Sequence, residues 1–113
     1  MVLPTHRAPT HPGEILLEEF LVPLNVSQAM LATALHIPYQ RINEIINKKR
    51  GITPSTALRL SKYFENSTDF WINLQLRWDM YHALKKEEKI LNKVKALKSM
   101  RLTVLEEIDF ISK

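Results

Sequence analysis

Two short apolar-periodic stretches, one ending at Leu35 and the other carrying Ile42, Ile45 and Ile46, are separated only by His36, Ile37 and Pro38. Three residues leave room for one sharp corner and nothing else. Each stretch, residues 27–35 and 39–47, spans about nine residues, too short for a helix that stands alone in water. The pair must therefore brace itself, with Leu31, Leu35, Ile37, Ile42 and Ile45 facing inward. Two short helices locked across a tight corner form a helix-turn-helix. Glycine is the usual residue where such a corner needs a positive φ. Here His36 stands at the corner, and Lys48 stands where a helix-ending glycine is expected.

The remaining sequence extends the helical reading. Only two glycines occur, and apolar residues recur at three- and four-residue spacing. Residues 1–10, with Pro4 and Pro9, read as a flexible N-terminal arm. Pro12 suits a first helical turn, and Glu14 is favourable near the positive end of that helix. Leu16, Phe20 and Leu21 line its apolar face, and Pro23 is expected to stop it. Ser27 is an N-cap for the second helix, in which Ala32 allows close approach. Pro38 fits the first turn of the third. Thr53 caps a fourth helix with Pro54 at its first position, burying Ala57, Leu60 and Phe64. Asn66-Ser67-Thr68-Asp69 opens a fifth, along which Trp71, Leu74, Trp78 and Tyr81 form a stripe that seals the bundle. Past Leu84 the chain turns lysine-rich, and Thr103 with Glu106 suggests a capping box for a last short helix. The expected architecture is all-α, with five helices over residues 11–84 and a charged, helical tail over 85–113.

Several classes fall away. Without cysteine there is no disulfide, thiolate metal site or cysteine nucleophile. The four histidines share no metal-ligand spacing. There is no phosphate-binding glycine loop and no nucleophile elbow, so an enzyme is not expected, and no cofactor is implied. Glu18-Glu19 and Glu87-Glu88 read as surface helix charge rather than paired catalytic acids. No apolar run approaches the roughly 18 residues of a membrane span, which makes cytoplasmic the default location.

Charge polarises along the chain. Residues 12–35 hold Glu14, Glu18 and Glu19 and no base, whereas residues 36–63 hold Arg41, Lys48, Lys49, Arg50, Arg59 and Lys62 against Glu44 alone. A second helix-turn-helix helix with its inner face spent on isoleucines leaves Tyr39, Gln40, Asn43, Glu44 and Asn47 pointing outward. Glutamine and asparagine side chains match adenine edges, and arginine matches guanine. Arg41 is expected on a base or a phosphate. Gln28, at the start of the preceding helix, is placed for a phosphate. So are Lys48, Lys49, Arg50 and the helix terminus after Thr53. Arg59, inside a helix, is expected to be structural.

The blocks His11-Pro12-Gly13-Glu14, Arg50-Gly51-Ile52-Thr53, Ala57-Leu58-Arg59-Leu60 and Trp71-Ile72-Asn73-Leu74-Gln75 occur together and in order. Across residues 11–84 the sequence resembles the HigA-type antitoxins, the VapI-like branch of the Xre/Cro (lambda-repressor-like) family. That resemblance implies a homodimer that binds double-stranded operator DNA, represses its own operon and neutralises a HigB/RelE-like ribonuclease toxin. It also places Gln28 and Tyr39-Gln40-Arg41 on the usual DNA-contact positions, with Asn43 and Glu44 as further ones. His36, Lys48 and Asn25 depart from the family's glycines, and the tail after residue 85 has no assigned role. A stand-alone repressor without a toxin is the alternative. A pure interaction module using the aromatic stripe is a third reading.

Overall fold

The computed structural model describes residues 7–97, so the suggested last helix near Thr103 lies outside the described residues. Five helices follow one another without a strand among the described residues. Helix α1 is Pro12–Leu24, α2 Gln28–Leu35, α3 Tyr39–Ile46, α4 Pro54–Phe64 and α5 Thr68–Leu91. No single helix among them is long and apolar enough to cross a membrane.

The helix starts are set by local chemistry. The Ser27 hydroxyl accepts from the Met30 N–H at 3.0 Å, and Thr53 accepts from the Thr56 N–H with Pro54 next in line. At α5 the Asp69 N–H donates to the Ser67 hydroxyl. Pro38 sits one residue earlier than expected, in extended conformation immediately before α3. Pro23 does not stop α1, which runs one residue further. The missing proline N–H is tolerated because Leu16–Leu21 is wound as a π-helix, with the Val22 N–H reaching back five residues to the Leu17 carbonyl.

Four helices end the same way, on a residue in the left-handed region: Asn25, His36, Lys48 and Glu65, with φ of 54°, 57°, 64° and 53°. After each, the following N–H bonds a carbonyl five residues back: Val26 to Leu21, Ile37 to Ala32, Lys49 to Glu44 and Asn66 to Ser61. This six-residue closure satisfies carbonyls the helix leaves orphaned. Both corners flagged in the sequence are therefore built as glycine corners would be, without glycine. Arg59 supports the most functional of them, donating from one guanidinium nitrogen to the Leu35 and His36 carbonyls at 2.9 and 3.0 Å.

Helices α1 and α2 meet at 101°. Between the helices lies a core of Leu16, Leu21, Leu31, Leu35, Ile42, Ile45, Ala57, Leu60 and Trp71. Phe20 closes one end, with its ring centroid 4.9 Å from Phe64 and 4.8 Å from Trp71. The buried indole N–H is satisfied by the Asn66 side chain at 2.9 Å. Contacts divide the chain into two units, residues 1–83 and 84–113.

A non-glycine residue in the left-handed region costs on the order of 1 kcal/mol. Glu65 is exposed and its side chain anchors nothing, so Glu65→Gly is expected to raise unfolding stability by about 0.5–1 kcal/mol in urea titrations, with an unchanged m-value.

Candidate nucleic-acid interface

The outward side of α3 is fixed by what its inward side buries. Ile42, Ile45 and Ile46 are buried, which leaves Tyr39 (53% exposed) and Gln40 at the start of the helix open to solvent, with Arg41 half-buried beside them. Gln40, Arg41 and Lys49 make no side-chain hydrogen bond or ion pair with the described residues.

Gln28, Asn43 and Asn47 form one relay. The Asn47 amide donates to Asn43 Oδ1 at 3.1 Å, and Asn43 Nδ2 donates to Gln28 Oε1 at 3.0 Å. Each amide thus has its direction set by the next. Because Gln28 Oε1 is taken, its Nε2 is the group left to face outward, a pure donor suited to a phosphate oxygen. The relay also ties α2 to α3 across the motif.

The basic run is less free than the sequence implies. Arg50 Nε donates to Glu44 Oε1 at 3.0 Å, so two residues expected at the interface hold each other. Lys48 Nζ lies 3.4 Å from Glu14 on α1. The Lys48–Glu14 pair is exposed on both sides and Arg50 is exposed against a partly buried Glu44, so both pairs are weak and a phosphate can replace the carboxylate at little cost. Thr53 spends its hydroxyl on Thr56, donating to that side chain and accepting from its N–H. Its contribution to anion binding is through the helix end it caps.

Several positioning residues carried no such role in the sequence reading. His11 caps α1, with Nδ1 accepting from the Gly13 N–H at 2.9 Å while its ring stands edge-on to Trp78, 4.8 Å between centroids. A β-carbon on Gly13 would run into the Ile45 carbonyl, so this glycine lets α1 lie against the backbone of α3. Gln75 on α5 clamps the loop after α3, its Oε1 accepting from the Ile52 N–H at 2.7 Å and its Nε2 bonded to Asp79. Gly51 leaves room for that amide. The available signal was a polar residue one turn beyond Trp71 on an otherwise sealing stripe.

An open groove of about 900 Å³ separates the end of α2 from α4. Ser61 and His36 both line it. The Ser61 hydroxyl, however, is bound to the Leu58 carbonyl and the Thr68 hydroxyl at 2.9 and 2.8 Å, not to the imidazole. Among the described residues no cluster of histidine and carboxylates could hold a metal.

Fold and surface together define a helix-turn-helix domain, and residues 17–71 match the family model of that description. The chain is 48% identical to virulence-associated protein I of Dichelobacter nodosus over 71% of its length and 74% of the relative's. Among solved structures it is similar to a HigA-family addiction-module antidote protein from Coxiella burnetii (44% identity, TM-score 0.73, covering 80% of this chain and 98% of that one). It is also similar to Pseudomonas aeruginosa antitoxin HigA, solved with the higBA promoter (39% identity, TM-score 0.75, covering 79% and 98%). The chain belongs to the HigA/VapI family of helix-turn-helix antitoxins and regulators.

The buried position of His11 lowers its pKa below the usual 6.5, helped by Lys48 and opposed by Glu14 and Asp79. Only the neutral ring can accept the Gly13 N–H. The unfolded chain therefore binds a proton more readily than the folded one, and stability falls as pH drops through 6.5 toward the depressed value. His11→Asn, which keeps a capping oxygen without a titrating group, is expected to flatten the slope of thermal stability between pH 7.5 and about 5.5.

Proposed function

We propose that the protein is an antitoxin that binds operator DNA as a homodimer, represses its own operon and neutralises a RelE-like ribonuclease. The observation that carries the DNA reading is the exposed, unpartnered start of α3, beside a Gln28 amide oriented to donate outward. Two α3 helices related by a two-fold axis would enter successive major grooves of a palindromic site about 34 Å apart. Tyr39, Gln40 and Arg41 would read bases, with Asn43 setting the angle of Gln28. Lys48, Lys49, Arg50 and the end of α4 capped by Thr53 would hold phosphates. Glu44 would govern when Arg50 is released to them. Family members solved with promoter or operator DNA support this reading.

Titration against the protein's own promoter and a scrambled duplex at two salt concentrations tests it. Specific repression requires a preference of about a thousandfold or more. Gln40→Ala should cost about 1–3 kcal/mol on the promoter and nothing on scrambled DNA, while Lys49→Ala should weaken both alike and flatten the salt slope by about one unit per subunit. Equal losses for Gln40→Ala on both duplexes would refute base readout.

Toxin binding is drawn from the family and from the acidic first helix. Glu14 is engaged by Lys48, which leaves Glu18 and Glu19 exposed. Val22 and Leu24 extend this surface as exposed apolar residues. A basic ribonuclease fits such a face. Reversing both charges, Glu18→Lys with Glu19→Lys, should slow association and weaken the toxin complex by about tenfold, most at low salt. Unchanged affinity would remove α1 from that interface.

A further inference from the structure

The loop that would hold phosphates is supported separately from the helix that would read bases. Tyr39 and Gln40 take their direction from the apolar seam between α2 and α3. Lys48, Lys49 and Arg50 lie beyond that seam, where the turn closing α3 ends with the Lys49 N–H on the Glu44 carbonyl. The rest of the loop, as far as the Thr53 cap of α4, is held at Ile52. Its side chain is buried, and its N–H donates to Gln75 Oε1 at 2.7 Å, across 23 residues of sequence.

A side-chain amide has an accepting oxygen and a donating nitrogen, and only the oxygen can bond the Ile52 N–H. Asp79, one turn further along α5, makes that choice. Its carboxylate accepts from Gln75 Nε2 at 2.9 Å, which leaves Oε1 turned toward the loop. The spacing of four puts both side chains on one face of the helix. Gly51 completes the fit, because a β-carbon there would stand 2.7 Å from Gln75 Nε2 and 2.8 Å from Oε1. Trp78, against His11 at the start of α1, belongs to the same turn of α5. Resting on the operator-binding function above, we propose that Gln75 and Asp79 are positioning residues for the phosphate contacts. They hold Lys48, Lys49 and Arg50 at one height beside the start of α4. They thereby set how tightly the protein grips DNA of any sequence, while the choice of sequence stays with α3. A loop fixed beforehand loses little freedom when it meets phosphates, whereas a loose one must be ordered on binding, which weakens the complex.

Gly51→Ala tests this from the loop side. Gly51 has no positive φ, so alanine fits its backbone, and the new methyl pushes aside only the far end of the Gln75 side chain. The variant should bind the promoter and a scrambled duplex about tenfold more weakly than the unsubstituted chain, with the preference between them unchanged. In the Gly51→Ala background, the loss caused by Lys49→Ala should shrink by at least about threefold, because that contact is already misplaced, whereas the loss caused by Gln40→Ala should stay as it was. A structural defect without this positioning role would not single out Lys49. From the α5 side, Gln75→Glu sets two carboxylates against each other and should weaken both duplexes. Gln75→Glu/Asp79→Asn restores both hydrogen bonds with the donor now on residue 79, and should recover affinity to within about threefold. Full additivity of Gly51→Ala with Lys49→Ala would overturn the proposal, as would a loss confined to the promoter or a double variant no tighter than Gln75→Glu alone. Failure of the unsubstituted chain to bind either duplex would remove the DNA function and this role together. Binding by that chain with additive losses would remove the positioning role alone.

Discussion

Everything functional rests on the exclusion of water from the seam between α2 and α3. Each of these helices has eight residues, and neither would hold its shape alone. Leu31, Leu35, Ile42 and Ile45 are essentially inaccessible, and fully burying one such side chain contributes about 1.5–3 kcal/mol. That seam, more than any propensity of α3, fixes which way Tyr39 and Gln40 face. The amide relay from Asn47 through Asn43 to Gln28 adds orientation at the rim, where polar groups can be satisfied without being buried deeply.

A second layer of support comes from outside the motif. Gly13 lets α1 lie against the Ile45 carbonyl, while Gln75 fastens the loop at Ile52 from the other side. Arg59 stiffens the corner at Leu35 and His36. The residues of the family blocks thus act mainly by holding α3 in place. Gly13, Gly51, Arg59 and Gln75 touch the recognition helix or its flanks, His11 caps the start of α1 beside Gly13, and no DNA contact needs to be invoked for them.

Much of this architecture was legible beforehand because its signals are local. Ser27, Thr53 and Ser67 announce helix starts through hydroxyls that reach only a few residues ahead, and the isoleucine spacing of α3 needs no tertiary information. Features that depended on partners far along the chain were not legible. The Lys48–Glu14 contact joins α1 to the turn after α3, and Arg50 bends back to Glu44. Both reduce a basic run that looked free in one dimension. Glu65 gave no sign of a left-handed conformation, because its side chain offers the backbone no local hydrogen bond. Pro23 misled for a related reason: proline forbids a particular hydrogen bond, and the π-helical winding upstream changes which bond is required.

That winding also sets the length of α1. In an α-helix, residues five apart lie about 140° from one another around the axis, so Leu16 and Leu21 could not both turn inward. Both are buried, at 0% and 2% exposure, because the intervening backbone pairs across five residues. The stretch has the geometry of a single residue inserted into an ordinary helix. Deleting one codon between Leu17 and Phe20 would restore regular winding with Leu16 and Leu21 four apart, about 40° from one another and so still on one face. The extra residue keeps the two surfaces of the helix in phase, and what regular winding would remove is the five-residue pairing that accommodates Pro23.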